Sequence, residues 1–105
     1  PRRSRTYAYC SDTAFDPRIA AQIEGVNLLY HEATFLTADE LKAAETQHST
    51  AKQAAEIARL ARASTLLIGH YSARYKDLNP LLEEAKAIFP NCRLALEGEE
   101  HSIED

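Results

Sequence analysis

The sequence predicts an α/β fold in which parallel strands are covered by helices. Short runs of β-forming residues alternate with helical segments in the order β-α-β-α-α-β-α-β, and strands separated by helices usually pair in parallel. The composition is that of a globular protein, with 45% hydrophobic and 27% charged residues. The chain has 105 residues, which is the length of one domain.

Four short runs rich in apolar and β-forming side chains predict the strands. The third run is compact and apolar and ends at Gly69, as expected of a buried strand. The predicted strands cover residues 6–10, 26–30, 65–68 and 93–96.

Capping signals predict where the helices begin. Asp16-Pro17 fits a cap followed by proline at the first helical position. Thr37 with Glu40, and Thr50 with Gln53, fit the capping-box pattern, in which each end of the motif satisfies a backbone N–H of the other. The predicted helices cover about residues 17–22, 38–45, 51–61 and 79–89.

Charge is unevenly distributed along the chain. The net charge of −4 argues mildly against a nucleic-acid surface, which is usually basic. However, residues 97–105 hold five acids, and without them the chain is close to neutral. We interpret residues 1–96 as the folded part and residues 97–105 as a solvated acidic tail.

Cys10 and Cys92 lie far apart in the sequence and lack the close spacing of a metal pair. We interpret them as reduced, mostly buried thiols of a cytoplasmic protein. The sequence contains no run of about 20 apolar residues, so it predicts no membrane span. Because the chain starts at Pro1 without Met, we expect it to be a piece of a longer protein.

Polar side chains follow three of the predicted strands. Asp12 comes after the first strand, His31-Glu32 after the second and His70 after the third. Ligands of parallel sheets bind outside the carboxyl ends of the strands. The sequence therefore predicts a functional site at this edge of the sheet.

Two of these residues have metal-ligand chemistry, and two others suit phosphate. Asp12 fits either a turn residue or a carboxylate ligand that bridges two divalent metals. His70 fits either a histidine bonded to a backbone carbonyl or a zinc ligand. Ser72 and Arg74 could bind a phosphate together, although Arg74 could equally form a surface salt bridge.

Glu32 and His48 are candidates for proton transfer. We expect His31 and Glu32 to start a loop, where Glu32 would orient an imidazole unless it is merely solvated. His48 precedes a predicted helix, whose dipole disfavours a protonated imidazole. A charged His48 therefore needs a nearby carboxylate, and Glu32 is the natural candidate; otherwise His48 is a surface loop histidine.

Taken together, these motifs resemble ribonuclease Z, the tRNA 3′-processing endonuclease of the metallo-β-lactamase superfamily. The resemblance extends from about Tyr7 to Leu96 and implies the C-terminal half of a metallo-β-lactamase αββα sandwich. The matching motifs are Ser11-Asp12-Thr13, His31-Glu32-Ala33-Thr34-Phe35, His48-Ser49-Thr50-Ala51 and His70-Tyr71-Ser72-Ala73-Arg74-Tyr75.

The resemblance implies a role for each candidate residue. His48 is similar to the proton donor to the leaving 3′-oxygen, and Glu32 to the residue that supports it. Ser72 and Arg74 resemble residues that hold the scissile phosphate, whereas His31 would only shape its loop. The implied substrate is a tRNA precursor, cleaved just after the discriminator nucleotide.

The resemblance also implies a zinc centre that this chain only partly supplies. Asp12 is similar to the aspartate that bridges two Zn²⁺ ions, and His70 to a ligand of one ion. The family's His-x-His-x-Asp-His motif is absent from the sequence, and two ligands are fewer than the three typical of catalytic zinc. We therefore expect the chain to be inactive alone.

The resemblance further implies a homodimer, and half of a sandwich should leave an apolar sheet face that favours self-association. Two other functions remain open. One is another metallo-β-lactamase-fold hydrolase, arylsulfatase-like or a phosphodiesterase, which would need Asp12 and His70 but not Glu32 and His48. The other is a non-catalytic α/β assembly module.

Overall fold

Four parallel strands form one sheet in chain order. The computed structural model describes residues 6–10 and 15–95. Neighbouring strands pair in parallel in the order β1-β2-β3-β4. The strands are β1 (Tyr7–Cys10), β2 (Leu28–Glu32), β3 (Thr65–Gly69) and β4 (Cys92–Leu94).

Helices connect the strands in the predicted order β-α-β-α-α-β-α-β, which is confirmed. A 3-10 turn over Thr37–Asp39 precedes the second helix. Within the described ranges, no helix combines the length and the apolar character needed to cross a bilayer. The helices are α1 (Arg18–Gln22), α2 (Glu40–Thr46), α3 (Ala51–Ala61) and α4 (Asn79–Lys86).

Helix α3 forms the centre of the core. Its side chain Ile57 and its alanines are fully buried against strand residues such as Leu66 and Ile68. Small alanine side chains let the helix lie close to the sheet. The predicted capping box at its start is confirmed, because the Gln53 N–H donates to the Thr50 hydroxyl (3.1 Å) and the Thr50 N–H donates to the Gln53 side chain (2.9 Å).

The capping box predicted at Thr37 and Glu40 is wrong. Helix α2 begins after the 3-10 turn, and no side chain caps its N-terminus. Instead, the Glu84 carboxylate of α4 accepts hydrogen bonds from the backbone N–H groups of Thr37 (3.1 Å) and Lys52 (3.0 Å). A tertiary contact thus satisfies the Thr37 backbone donor, which the local sequence pattern assigned to Glu40.

Strand β2 begins and ends two residues later than predicted and includes His31 and Glu32, so their placement in a loop is wrong. His31 pairs in register with Ile68, and Glu32 pairs with Gly69. Parallel pairing on a buried strand outweighs the polar character of these two residues. Adjacent strand residues point to opposite faces of a sheet, which separates the two side chains.

The face of the sheet opposite helix α3 is partly exposed. Tyr7 and Tyr9 are 66% and 73% exposed, whereas Ala8 and Cys10, which alternate with them along β1, pack against the core. The rings of Tyr9 and Tyr30 stack at 4.5 Å between centroids. The expected exposed face is therefore present in the described part of the chain, as a patch of tyrosines.

Both cysteines are free thiols, as predicted. Burial raises the pKa of the Cys92 thiol to about 12, so the reactive thiolate form is strongly disfavoured. The acidic segment 97–105 lies outside the described residues.

Gly69 is required because the Tyr30 ring lies against it. A Cβ atom at this position would meet the Tyr30 hydroxyl and come within 2.8 Å of its Cζ atom. We expect Gly69→Ala to lower the free energy of unfolding by about 1–3 kcal/mol, measured by urea denaturation. In a Tyr30→Leu background the cost of Gly69→Ala should shrink; an unchanged cost would show that the ring is not the obstacle.

Candidate active site

Three segments meet at the carboxyl edge of the sheet through backbone hydrogen bonds. The Ala33 N–H donates to the Gly69 carbonyl (2.7 Å), which joins the ends of β2 and β3. The Thr34 N–H donates to the Ser49 carbonyl (3.0 Å), and the Ser72 N–H donates to the Thr34 carbonyl (3.0 Å). These hydrogen bonds fix the positions of the segments after β2, before α3 and after β3 relative to one another.

Glu32 lies at the centre of this junction and is fully buried. Its Oε2 atom accepts hydrogen bonds from the Thr34 hydroxyl (2.6 Å), His48 Nδ1 (2.9 Å) and the Ser49 N–H (3.2 Å). A buried carboxylate is tolerated only when donors satisfy it in this way. The expected pairing of Glu32 with His48 is present.

The Glu32 contact also fixes the orientation of the His48 ring. A carboxylate only accepts, so the Nδ1 atom of His48 carries the hydrogen that Glu32 receives. The other ring nitrogen, Nε2, is then the atom that can exchange protons with a substrate. The His48 side chain is 22% exposed, which is consistent with access from outside.

His70 follows β3 directly and has an uncommon backbone conformation, with φ at 60°. Non-glycine residues adopt this left-handed region rarely, and it often marks a functional position. The Thr34 hydroxyl lies 3.1 Å from His70 Nδ1 and 2.9 Å from its carbonyl oxygen. The rings of His48 and His70 are 5.3 Å apart.

The donor set at this junction fits a transition-metal ion. Glu32, His48 and His70 each offer one ligand atom, and these atoms lie within 4.8 Å of one another. Imidazole nitrogen and carboxylate oxygen are ligand types that zinc accepts. Because Glu32 and His48 already bond each other, His70 is the member best placed to hold a metal. Asp12, the other predicted ligand, lies outside the described residues.

The two predicted phosphate-binding residues lie beside this cluster. The Arg74 guanidinium is 5.3 Å from the centroid of the Phe35 ring and 3.4 Å from the Asp39 carboxylate. The Phe35 ring in turn lies 6.4 Å from the His48 ring. The Ser72 hydroxyl accepts a hydrogen bond from the Arg74 backbone N–H (3.3 Å).

The sequence predicts no role for several residues that the structure places at this junction. The Tyr75 hydroxyl donates to the Asp39 carboxylate and accepts from the Leu36 N–H (2.9 Å). Burial, followed by the bond to Asp39, raises the pKa of Tyr75, which keeps its proton in place. Thr34 belongs to a motif, but only the structure shows that its hydroxyl contacts both Glu32 and His70.

His31 does not join the cluster. It is 1% exposed, its Nδ1 donates to the Glu32 carbonyl (2.8 Å), and its Nε2 is buried without a partner in the described part of the chain. Burial lowers the pKa of His31 below its ordinary value, because water no longer solvates the charged form.

This shift predicts a loss of stability at acid pH. The unfolded chain binds a proton on His31 near pH 6.5, whereas the folded chain binds it only at lower pH. The free energy of unfolding should therefore fall as pH drops below about 6.5, by at most about 1.4 kcal/mol per pH unit. His31→Asn keeps a donor but cannot titrate, so a pH dependence identical to wild type in denaturant titrations would contradict this prediction.

Comparison with known proteins identifies the family. The family model of the beta-lactamase superfamily domain matches residues 2–71. Ribonuclease Z of Parabacteroides distasonis is 60% identical over 94% of this chain and 33% of that protein. Ribonuclease Z of Porphyromonas gingivalis strain W83 is 66% identical over 81% of this chain and 28% of that protein.

Solved structures show the same fold. The metallo-beta-lactamase fold protein YhfI from Bacillus subtilis matches with a TM-score of 0.84 and 26% identity, covering 91% of this chain and 39% of that one. The short form of human tRNase Z matches with a TM-score of 0.64 and 32% identity, covering 82% of this chain and 28% of that one.

The resemblance to ribonuclease Z inferred from the motifs is therefore confirmed, as is the α/β fold class. The chain spans about a third of the length of the curated relatives it matches. The chain belongs to the beta-lactamase superfamily.

Proposed function

We propose that this chain is part of a zinc-dependent endoribonuclease that removes 3′ trailers from tRNA precursors by phosphodiester hydrolysis. The observation that carries the proposal is the buried Glu32 carboxylate, which orients His48 beside His70. The ribonuclease Z relatives support the substrate and the reaction. Maturation of tRNA would place the protein in the cytoplasm.

His48 is the proton donor in this proposal. Its Nδ1 is held by Glu32 at 2.9 Å, which orients the ring and directs Nε2 away from the carboxylate. A water oxygen forms a bond to phosphorus as the P–O3′ bond breaks, and it becomes part of the trailer's 5′-phosphate. The Nε2 proton moves to the leaving 3′-oxygen, and the attacking water loses a proton to solvent, which restores the proton balance. The products are a tRNA with a 3′-hydroxyl and a trailer with a 5′-phosphate.

Asp12 and His70 are the residues of this chain that would hold zinc. Zinc bound there supplies positive charge that stabilises the phosphate in the transition state. Catalytic zinc typically has three protein ligands, so the remaining ligands must come from outside this chain. We therefore expect the 105-residue chain to show no turnover alone.

Arg74 and Ser72 would bind the scissile phosphate. The Arg74 side chain is 45% exposed and its contact with Asp39 is 3.4 Å long, so little free energy opposes its release. A guanidinium makes stronger, paired hydrogen bonds to phosphate oxygens. The Phe35 ring under the guanidinium keeps it near His48.

Cleavage of a 3′-extended tRNA precursor by the whole protein tests the proposal. With zinc supplied, mapping of the product ends should show a cut after the discriminator nucleotide and a 3′-hydroxyl. A cyclic 2′,3′-phosphate would contradict the mechanism. Hydrolysis of a simple phosphodiester without cleavage of the precursor would instead favour the phosphodiesterase alternative.

We also propose that the tyrosine face of this chain on its own is buried by self-association, separately from the homodimer that the resemblance implies for the whole protein. The exposed rings of Tyr7 and Tyr9 lie on one face of β1, and a contiguous exposed apolar patch favours association. Light scattering of the chain should show oligomers at high concentration, and a Tyr7→Ser/Tyr9→Ser variant should be monomeric. A wild-type chain that stays monomeric at high concentration would contradict this prediction.

A further inference from the structure

We infer that Thr34 is a positioning residue whose hydroxyl, held between Glu32 and the His70 ring, sets which nitrogen of His70 carries the proton. This inference rests on the proposed function, because its consequence is the presentation of His70 to a metal. It adds a role for a residue that is neither a ligand nor a proton donor.

The Thr34 hydroxyl has three close neighbours and one hydrogen. Its oxygen lies 2.6 Å from Glu32 Oε2, 2.9 Å from the His70 carbonyl oxygen and 3.1 Å from His70 Nδ1. The first two neighbours are acceptors only. The hydroxyl hydrogen must therefore lie toward one of these two oxygens, and the carboxylate is both the nearer and the stronger acceptor.

Either arrangement has the same consequence for His70. Once the hydroxyl hydrogen points to an oxygen, the Thr34 oxygen can only accept from Nδ1, so Nδ1 carries the ring hydrogen. If the Thr34 hydroxyl instead donated to an unprotonated His70 Nδ1, the Thr34 oxygen would lie 2.6 Å from the Glu32 carboxylate with no hydrogen between them. Since neutral imidazole has one N–H, the lone pair of His70 is on Nε2.

This tautomer is the one a metal ligand needs. Histidines that bind metal through one nitrogen usually donate the other N–H to a fixed partner, which also orients the ring. Here Thr34 is that partner, and its hydroxyl is held in turn by Glu32. One carboxylate oxygen thereby orients His48 directly and His70 through Thr34.

The backbone of Thr34 supports the same arrangement. Its carbonyl accepts the Ser72 N–H (3.0 Å), which holds the segment in which His70 has its positive φ. Thr34 is only 6% exposed, so water does not compete for the hydroxyl. Replacing the hydroxyl alone leaves this backbone contact in place and isolates the effect on the ring.

Long-range ¹H–¹⁵N spectra of the imidazoles test the inference in the metal-free chain at mildly alkaline pH. Thr34→Val removes the hydroxyl and keeps the shape, whereas Thr34→Ser keeps the hydroxyl; His70→Gln identifies the signals. We expect the Nδ1–H form of His70 in wild type and Thr34→Ser, and a shift toward Nε2–H in Thr34→Val. In the whole protein, Thr34→Val should bind zinc about 10- to 100-fold more weakly, with Thr34→Ser close to wild type.

An Nε2–H signal for His70 in wild type would overturn the inference, and so would an unchanged tautomer in a folded Thr34→Val variant. If Thr34→Val does not fold, the spectra of wild type and Thr34→Ser decide between the two forms. The tautomer is read without any substrate. A failure of the proposed nuclease activity is therefore distinguishable from a failure of this inference.

Discussion

Replacing His48 by alanine in the whole protein should slow removal of the 3′ trailer by about 10²- to 10⁴-fold. The variant lacks the ring whose Nδ1 is held by Glu32 at 2.9 Å, which is the proposed proton donor to the leaving 3′-oxygen. The loss should appear in the single-turnover rate constant, because the proposed proton transfer from His48 occurs in the transition state and not in substrate binding. Zinc content, measured by metal analysis, should not change.

His101→Ala is the matched control, because it removes a histidine to which we give no role. It should cleave the precursor at the wild-type rate. A His48→Ala loss smaller than about tenfold would contradict general acid catalysis by this residue. A loss that coincides with loss of zinc would instead make His48 a metal ligand.

Replacing Glu32 by alanine should lower the free energy of unfolding of the chain by about 3–5 kcal/mol. The substitution leaves the Thr34 hydroxyl, the His48 ring and the Ser49 N–H without their shared acceptor. Glu32 and Ser49 are fully buried, so water does not replace the lost bonds without rearrangement. The midpoint of urea denaturation should fall with an unchanged slope.

Two variants bracket this prediction. Glu56→Ala removes a glutamate whose bond to Arg59 (2.8 Å) lies at the surface, and it should cost less than about 1 kcal/mol. Glu32→Gln keeps an oxygen acceptor and should cost less than Glu32→Ala. Equal costs for Glu32→Ala and Glu56→Ala would show that the buried network contributes nothing to stability.

The order of elements was predictable because the strong signals are local. The capping box of Thr50 and Gln53 and the buried run before Gly69 both correspond to observed boundaries. The errors occur where contacts with residues distant in the sequence determine the end of a strand or the partner of a backbone N–H. Strand β2 extends to Glu32 because β3 pairs with it, and the N–H of Thr37 is satisfied by Glu84, which is 47 residues away.

The same division applies to the site. The motifs identified Glu32, His48 and His70 as chemically important, and the structure brings them together. The sequence did not show that Thr34 joins Glu32 to His70, because that contact spans 36 residues. The bond between Tyr75 and Asp39 has no local signal for the same reason.

The most direct test of the account uses a precursor whose scissile 3′-oxygen is replaced by sulfur. A thiol has a pKa of about 8.5, so a thiolate leaves without a proton donor. If His48 protonates the leaving atom, His48→Ala should cleave the sulfur substrate nearly as fast as wild type does, while remaining about 10²- to 10⁴-fold slower on the natural one. An equal loss on both substrates would contradict the central claim that Glu32 and His48 deliver the proton.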